Sequence, residues 1–347
     1  MVDDKVKGLC IRNMKMGAII VALLAMQSLN YSKPWPQKFD APKAKWTELK
    51  TLKGYNYATH SYLIIADQKI RQTRVTEIAT LAESVQHVLV LFPLHLISTG
   101  PLANKNKHLV RIFNKNSEYL KSGAPKGTIG YFDGHSKEVK VSLEHLIETK
   151  NNGSNLQPRQ RYRLLVHELI HQAMGDQFYA LPTWLTEGIA EYFSALQYAP
   201  GRYRFINCSK QIIQHLNVNW LHEEQPTVVI PSMQNLTMMS THTWAKDNRI
   251  NENNAYAKYA GALFLTHYQM ELASRNLGGL RSFLENSIVN IHEHKKKSVR
   301  FIPADQAILW EGKSFNETES QICKYWEKRG LTLHFSGKNQ TNRPIDK

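Results

Sequence analysis

The sequence predicts an α+β protein, with a mixed-sheet lobe followed by a mainly helical one. Three observations predict it: short apolar strand-like runs flank a long amphipathic helix before residue 150, an Asp133-Gly134 pair marks a hairpin, and helix start and stop signals dominate after Asn151. On this reading residues 1–30 are a leader or anchor, 31–54 a linker, 55–175 the α+β lobe, 176–335 the helical lobe and 336–347 a tail. The 347 residues, 42% hydrophobic and 21% charged, have the balance of a chain with a packed core, and this composition indicates neither a disordered nor a polytopic membrane protein.

The leader comes first. Lys5, Lys7, Arg12 and Lys15 precede the uncharged run Met16 to Met26. A membrane span needs roughly 20 apolar residues, whereas the core of a signal peptide needs ~7–15. Export is therefore expected, to a periplasmic or secreted location. Ala25-Met26-Gln27 and Met26-Gln27-Ser28 are poor copies of a small-x-small cleavage site, so an uncleaved N-terminal anchor is the alternative, and a buried helix of a cytosolic protein is the remaining one.

After the Pro-containing linker, Ser61 to Ile65 is predicted as a strand and Gln68 to Leu91 as a helix, with Ile70, Val75, Ile78, Leu81, Val85 and Val88 or Leu89 near helical period. His108 to Phe113 is the next strand, Ser117 to Lys121 a short helix, and Thr128–Phe132 with Glu138–Leu143 a hairpin around Asp133-Gly134. A helix is expected from Ser154 or Asn155, with Pro158 in its first turn and Gly175 as its stop. Thr183 is expected to cap a helix running to about Leu196. Residues 200–254 read as loop-rich with short helices, and Tyr256–Glu271 and Gly279–Ser287 as helices.

The formal net charge of +15 favours anionic partners, whether nucleic acid, anionic lipid or an envelope polymer; charge alone does not choose among them, and no specific nucleic acid is predicted. The cluster His292-Glu293-His294-Lys295-Lys296-Lys297 reads as a solvated surface. Of three cysteines, Cys10 lies in the leader, leaving Cys208 and Cys323 either to pair or to remain buried thiols. No CxxC pair occurs, which excludes a Cys-based zinc ribbon.

Val166-His167-Glu168-Leu169-Ile170-His171 contains an HExxH motif inside a predicted helix. Residues four apart share a helix face, so both imidazoles can reach one zinc ion while Glu168 projects toward a water on it. A third ligand is available in Pro182-Thr183-Trp184-Leu185-Thr186-Glu187-Gly188-Ile189-Ala190-Glu191-Tyr192. Glu187 and Glu191 are four apart, so Glu187 can bind the metal while Glu191 supports a ligand imidazole. Two histidines and one carboxylate leave one position open for water, as a catalytic zinc site requires.

HELIH followed by PTWLTEGIAEYF resembles the gluzincins, the clan of thermolysin and the aminopeptidase N family; the latter carries its third ligand in a WLxEG run like Trp184 to Gly188. Fifteen residues separate His171 from Glu187, fewer than either family uses, and the thermolysin spacing would make Glu191 the ligand instead. The chain resembles more closely the peptidase-MA-like proteins of bacterial envelopes. Ser61 to Asp67, His108 to Phe113, Gly127 to Phe132, the two zinc motifs and Tyr256 to Leu263 follow that family's order over about residues 55 to 290.

The resemblance implies a zincin-like fold, a Zn²⁺ cofactor, a peptide or protein substrate, and peptide hydrolysis with Glu168 as general base. It also implies a tyrosine that stabilises the oxyanion, Tyr256 first and Tyr259 next, and a substrate strand added along the Thr128–Phe132 edge. Two other functions compete: a catalytically inactive zinc-containing envelope binding protein, and a SprT-like protease acting near nucleic acid, whose third histidine is missing here. Met174 and Gln177 stand where a metzincin has Gly and its third His, which excludes that class.

Overall fold

The computed structural model describes residues 36–50, 54–91, 107–125, 128, 130–146, 162–175, 177–219, 227–250, 252–272, 278–297 and 303–337. The leader with Cys10, the expected helix start at Ser154 or Asn155, Pro158 and the tail beyond 337 lie outside the described residues. Residues 37–347 cluster as one unit, α+β in class. Among the described residues no helix is long and apolar enough to cross a membrane.

The main sheet is built from short strands of alternating burial. β2 (Thr47–Leu49), β3 (Tyr55–Ala58), β4 (Tyr62–Ala66), β5 (His108–Phe113), β6 (Gly130–Asp133) and β7 (Glu138–Ser142) pair in the order β2-β3-β4-β5-β7-β6. In β5 the buried residues are His108, Val110 and Ile112, the period of two that a strand with one covered face requires. β2, β3 and β4 are antiparallel neighbours, β4, β5 and β7 are parallel, and β6 turns back antiparallel to β7 as the sheet's edge. The parallel step from β4 to β5 contains helix α1 (Gln72–Leu91), uninterrupted by Gly or Pro, which buries Val75, Ile78, Leu81, Val85 and Val88. Helix α2 (Asn116–Lys121) and the turn α3 (Leu143–Leu146) flank the hairpin.

The helical lobe starts with α4 (Arg163–Met174), which packs on α1, β6 and β7. Gly175 ends it at φ +55°, a conformation that suits a residue without Cβ. Gln172 Nε2 donates to the carbonyls of Leu109 and Lys137, which ties the end of α4 to the starts of β5 and β7. After the turn α5 (Gln177–Ala180) comes α6 (Thr183–Leu196), which buries Trp184, Leu185, Ile189, Tyr192 and Phe193; burying such a side chain contributes about 1.5–3 kcal/mol. α10 (Glu252–His267) crosses α6 closely enough that a Cβ on Gly188 would lie 2.4 Å from the Ala262 carbonyl oxygen.

Several expectations are corrected. The stretch 31–54 is not merely a linker: β1 (Lys38–Asp40) pairs with β9 (Arg202–Arg204), and β2 extends the main sheet. Strands of three residues are too short to show a period, and their partners lie elsewhere in the chain. The described residues within 200–254 carry more regular structure than expected. β8 (Gln197–Ala199) and β9 form a hairpin, α7 (Cys208–Asn219), α8 (Met233–Met238) and α9 (Thr241–Ile250) follow, and β10 (Thr227–Pro231) pairs with β11 (Thr332–Ser336) about a hundred residues away. The hairpin strand begins at Gly130 rather than Thr128, and Leu143 belongs to α3.

α4 begins at Arg163, with Tyr162 as its cap. Pro182 caps α6 and Thr183 is its first helical residue. α10 ends at His267 in a π-helical turn, Tyr268–Leu272, and α11 (Gly278–Lys297) runs ten residues past Ser287. The basic cluster 292–297 thus forms the end of a helix, where cations suit the helix dipole. A 3₁₀ turn (Gln306–Trp310) and α12 (Phe315–Glu327), closed by a Ser314–Glu317 capping box, complete the unit. No disulfide joins Cys208 to Cys323; both are thiols.

Candidate metal centre

His167 and His171 lie one turn apart on α4, and Glu187 lies on the second turn of α6, the helix packed against it. Their donor atoms converge. His167 Nε2 is 2.9 Å from His171 Nε2 and 3.1 Å from Glu187 Oε2, and His171 Nε2 is 3.3 Å from the same oxygen. A zinc ion at about 2.0–2.1 Å from each donor of a tetrahedral site separates the donors by roughly 3.3–3.4 Å, so one ion fits with little adjustment. Glu191, the rival ligand in the sequence, is turned elsewhere: its Oε1 lies 3.0 Å from His167 Nδ1 and its Oε2 2.6 Å from His215 Nε2. A carboxylate beside Nδ1 favours a proton on that nitrogen, so that Nε2 is the His167 atom offered to a metal ion at the common centre.

Comparison with protein-family models and with curated proteins finds no match to the chain. The electrostatics of the cluster follow from this geometry. Burial opposes a charge on His167, but Glu187 and Glu191 outweigh it and push its pKa well above the ordinary value. For Glu187 burial favours the neutral acid, and His171 and His167 overcome it and bring its pKa down to about 2. Glu191 is likewise held low against its burial by His167 and His215. A pocket that draws a proton between two imidazoles and a carboxylate attracts a metal ion for the same reason.

Glu168 lies at the sheet edge. Its Oε2 accepts a hydrogen bond of 2.6 Å from the Phe132 amide of β6. Burial raises the Glu168 pKa above the ordinary carboxylate value, with His167 and His171 pulling the other way. The expected edge strand is thus an edge, and the expected base touches it.

The two tyrosines part company. Tyr256, the first choice by resemblance, is 47% exposed on α10, whereas the Tyr259 ring centroid is 6.0 Å from that of His167 and packs edge-on against Trp244 at 5.5 Å. Burial and the nearby Glu187 carboxylate raise the Tyr259 pKa, so it stays a hydroxyl donor. The structure therefore brings His167, Glu168, His171, Glu187, Glu191 and Tyr259 together and leaves Tyr256 at the surface. Sequence reasoning missed His215, which belongs to no motif and reaches Glu191 only because α7 packs on α6.

Proposed function

We propose that the chain is a zinc-dependent peptidase with a zincin-like site, using His167, His171 and Glu187 as ligands and Glu168 as general base. The observation that carries the proposal is the convergence of the three donors within 3.3 Å, with Glu168 held beside them on the sheet edge. Zinc bound there would polarise a substrate carbonyl and acidify a water.

The chain's own residues supply the rest. Glu168, raised by burial, accepts the proton of the attacking water and returns it to the departing amine. Tyr259 donates a hydrogen bond to the developing oxyanion. A peptide laid along β6 as an added strand pairs with backbone groups on the side that β7 leaves open, and its scissile bond is carried past Glu168. Glu191 keeps the His167 ring in one orientation, backed by His215.

The test is Glu168→Gln. It should retain one zinc per chain and the wild-type melting temperature yet lose peptide hydrolysis by at least ~10²–10⁴-fold, because the amide cannot accept the proton. Wild-type rates in this variant would refute the mechanism. A wild type that holds zinc but cleaves nothing in a broad peptide library would favour a binding protein.

A further inference from the structure

A pocket of about 590 Å³ opens between the start of α4, the junction of α6 with β8, strand β9 and the first turns of α7. Among the described residues its lining holds Arg163, Arg204 and Lys210, the side-chain amides of Gln197, Gln211 and Gln214, and no carboxylate. Two of these side chains are buried with unmet hydrogen-bonding capacity. Arg163 is 9% exposed, and its Nε and Nη1 have no partner among the described residues. Gln197 is 1% exposed, and among the described residues neither its Oε1 nor its Nε2 has one, nor has Gln211 Oε1.

Buried polar atoms are normally paired, and a buried guanidinium is the costliest to leave alone. The carboxylate that acts on Arg163 through space is Glu191, which is already bonded to His167 and His215. Tyr198, also in the lining, donates its hydroxyl to Asp40 and lies under the Arg204 guanidinium.

We propose that this pocket binds a small organic oxyanion, a phosphate ester or a carboxylate that also carries hydroxyl groups. The Nε edge of a guanidinium matches a phosphate or carboxylate with two parallel hydrogen bonds, and Arg204 and Lys210 add charge at the mouth. Side-chain amides both donate and accept, which suits hydroxyls on the same molecule. The volume lies within the ~300–1,000 Å³ of small-ligand pockets and exceeds what one inorganic ion needs. None of the zinc ligands lines it, so this site stands whether or not the chain cleaves peptides.

The experiment is calorimetric titration of the full chain, at constant ionic strength, with inorganic phosphate, glucose 6-phosphate, glucuronate and glucose. Glucose 6-phosphate or glucuronate should bind saturably at one site per chain, at least ~10-fold more tightly than inorganic phosphate, and glucose should not bind. Whichever of the two sugars binds decides between phosphate and carboxylate. Arg163→Lys should weaken binding by ~10–100-fold. The exposed pair Arg204→Ala/Lys210→Ala, which perturbs no core, should weaken it by ~10-fold and carries the test if the Arg163 variant does not fold. Binding should persist in His171→Ala, which dismantles the metal centre but leaves the pocket. Absence of saturable binding by both sugar acids, equal affinity in the wild type and the double variant, or loss of binding in a folded His171→Ala would each overturn the proposal.

Discussion

Gly188→Ala isolates the packing that holds the helices of the site together. An alanine in place of a helical glycine ordinarily stabilises by about 1 kcal/mol. Here the added Cβ would lie 2.1 Å from Thr266 Oγ1, 2.4 Å from the Ala262 oxygen and 2.9 Å from its carbonyl carbon. The hydroxyl can rotate away, but the Ala262 carbonyl is helix backbone, so α10 must retreat from α6 by roughly 1 Å to restore van der Waals contact. Overpacking of this kind costs typically 1–3 kcal/mol, and a backbone clash belongs at the top of that range, so the clash outweighs the propensity gain and about 2 kcal/mol of net destabilisation is expected.

For a chain of this length that lowers the melting temperature by about 3 °C. Because α10 carries Tyr259 while the three proposed zinc donors lie on α4 and α6, on the proposed mechanism zinc content should be unchanged and peptide turnover should fall by up to ~10²-fold, the expected penalty for a displacement near 1 Å. Gly261→Ala is the control, since its Cβ meets the Leu236 side chain, which can repack at smaller cost. Calorimetry and metal analysis on both variants decide the matter. A Gly188→Ala protein at least as stable as wild type would refute the proposed helix contact.

Three further outcomes are expected. Tyr259→Phe should lower kcat by ~10²–10³-fold with little change in KM, while Tyr256→Phe stays close to wild type; the reverse order in steady-state kinetics would return the oxyanion role to Tyr256. Glu191→Gln should weaken zinc binding by ~10–100-fold in competition with a chelator, by loosening His167, and an unchanged affinity would remove Glu191 from that role. His267 is buried with neither ring nitrogen hydrogen-bonded among the described residues, and its burial, helped by Arg329, brings its pKa from 6.5 down to about 3. The unfolded chain then binds the extra proton between these values, so this stability is complete above about pH 6.5 and declines as pH falls toward 3. His267→Phe should flatten the fall in melting temperature over that interval, and an unaltered profile would show that other groups control it.

Much of the site is written in local sequence. HExxH on a helix needs only the spacing of residues 167, 168 and 171, because four residues return the chain to the same helix face whatever surrounds it. The same holds for the WLTEG helix, for Gly175 as a stop and for the Asp133-Gly134 hairpin, each of which rests on short-range backbone preference.

What only the tertiary structure decided depends on pairs distant in the chain. Glu187 and Glu191 have the same side chain four residues apart, and the choice between them comes from how α6 lies on α4, which aims Glu187 at two Nε2 atoms and Glu191 at Nδ1 and at His215. Tyr259 rather than Tyr256 lies beside His167 because α10 crosses α6 at Gly188, which turns one tyrosine toward His167 and leaves the other in solvent. β1, β2, β10 and β11 escaped sequence reading for the same reason: runs this short announce a strand only weakly, and their stability comes from partners up to about 165 positions away. Side-chain type and helical period are local properties, whereas the direction in which a buried carboxylate or hydroxyl finally points is set by the packing of helices that meet only in the folded chain.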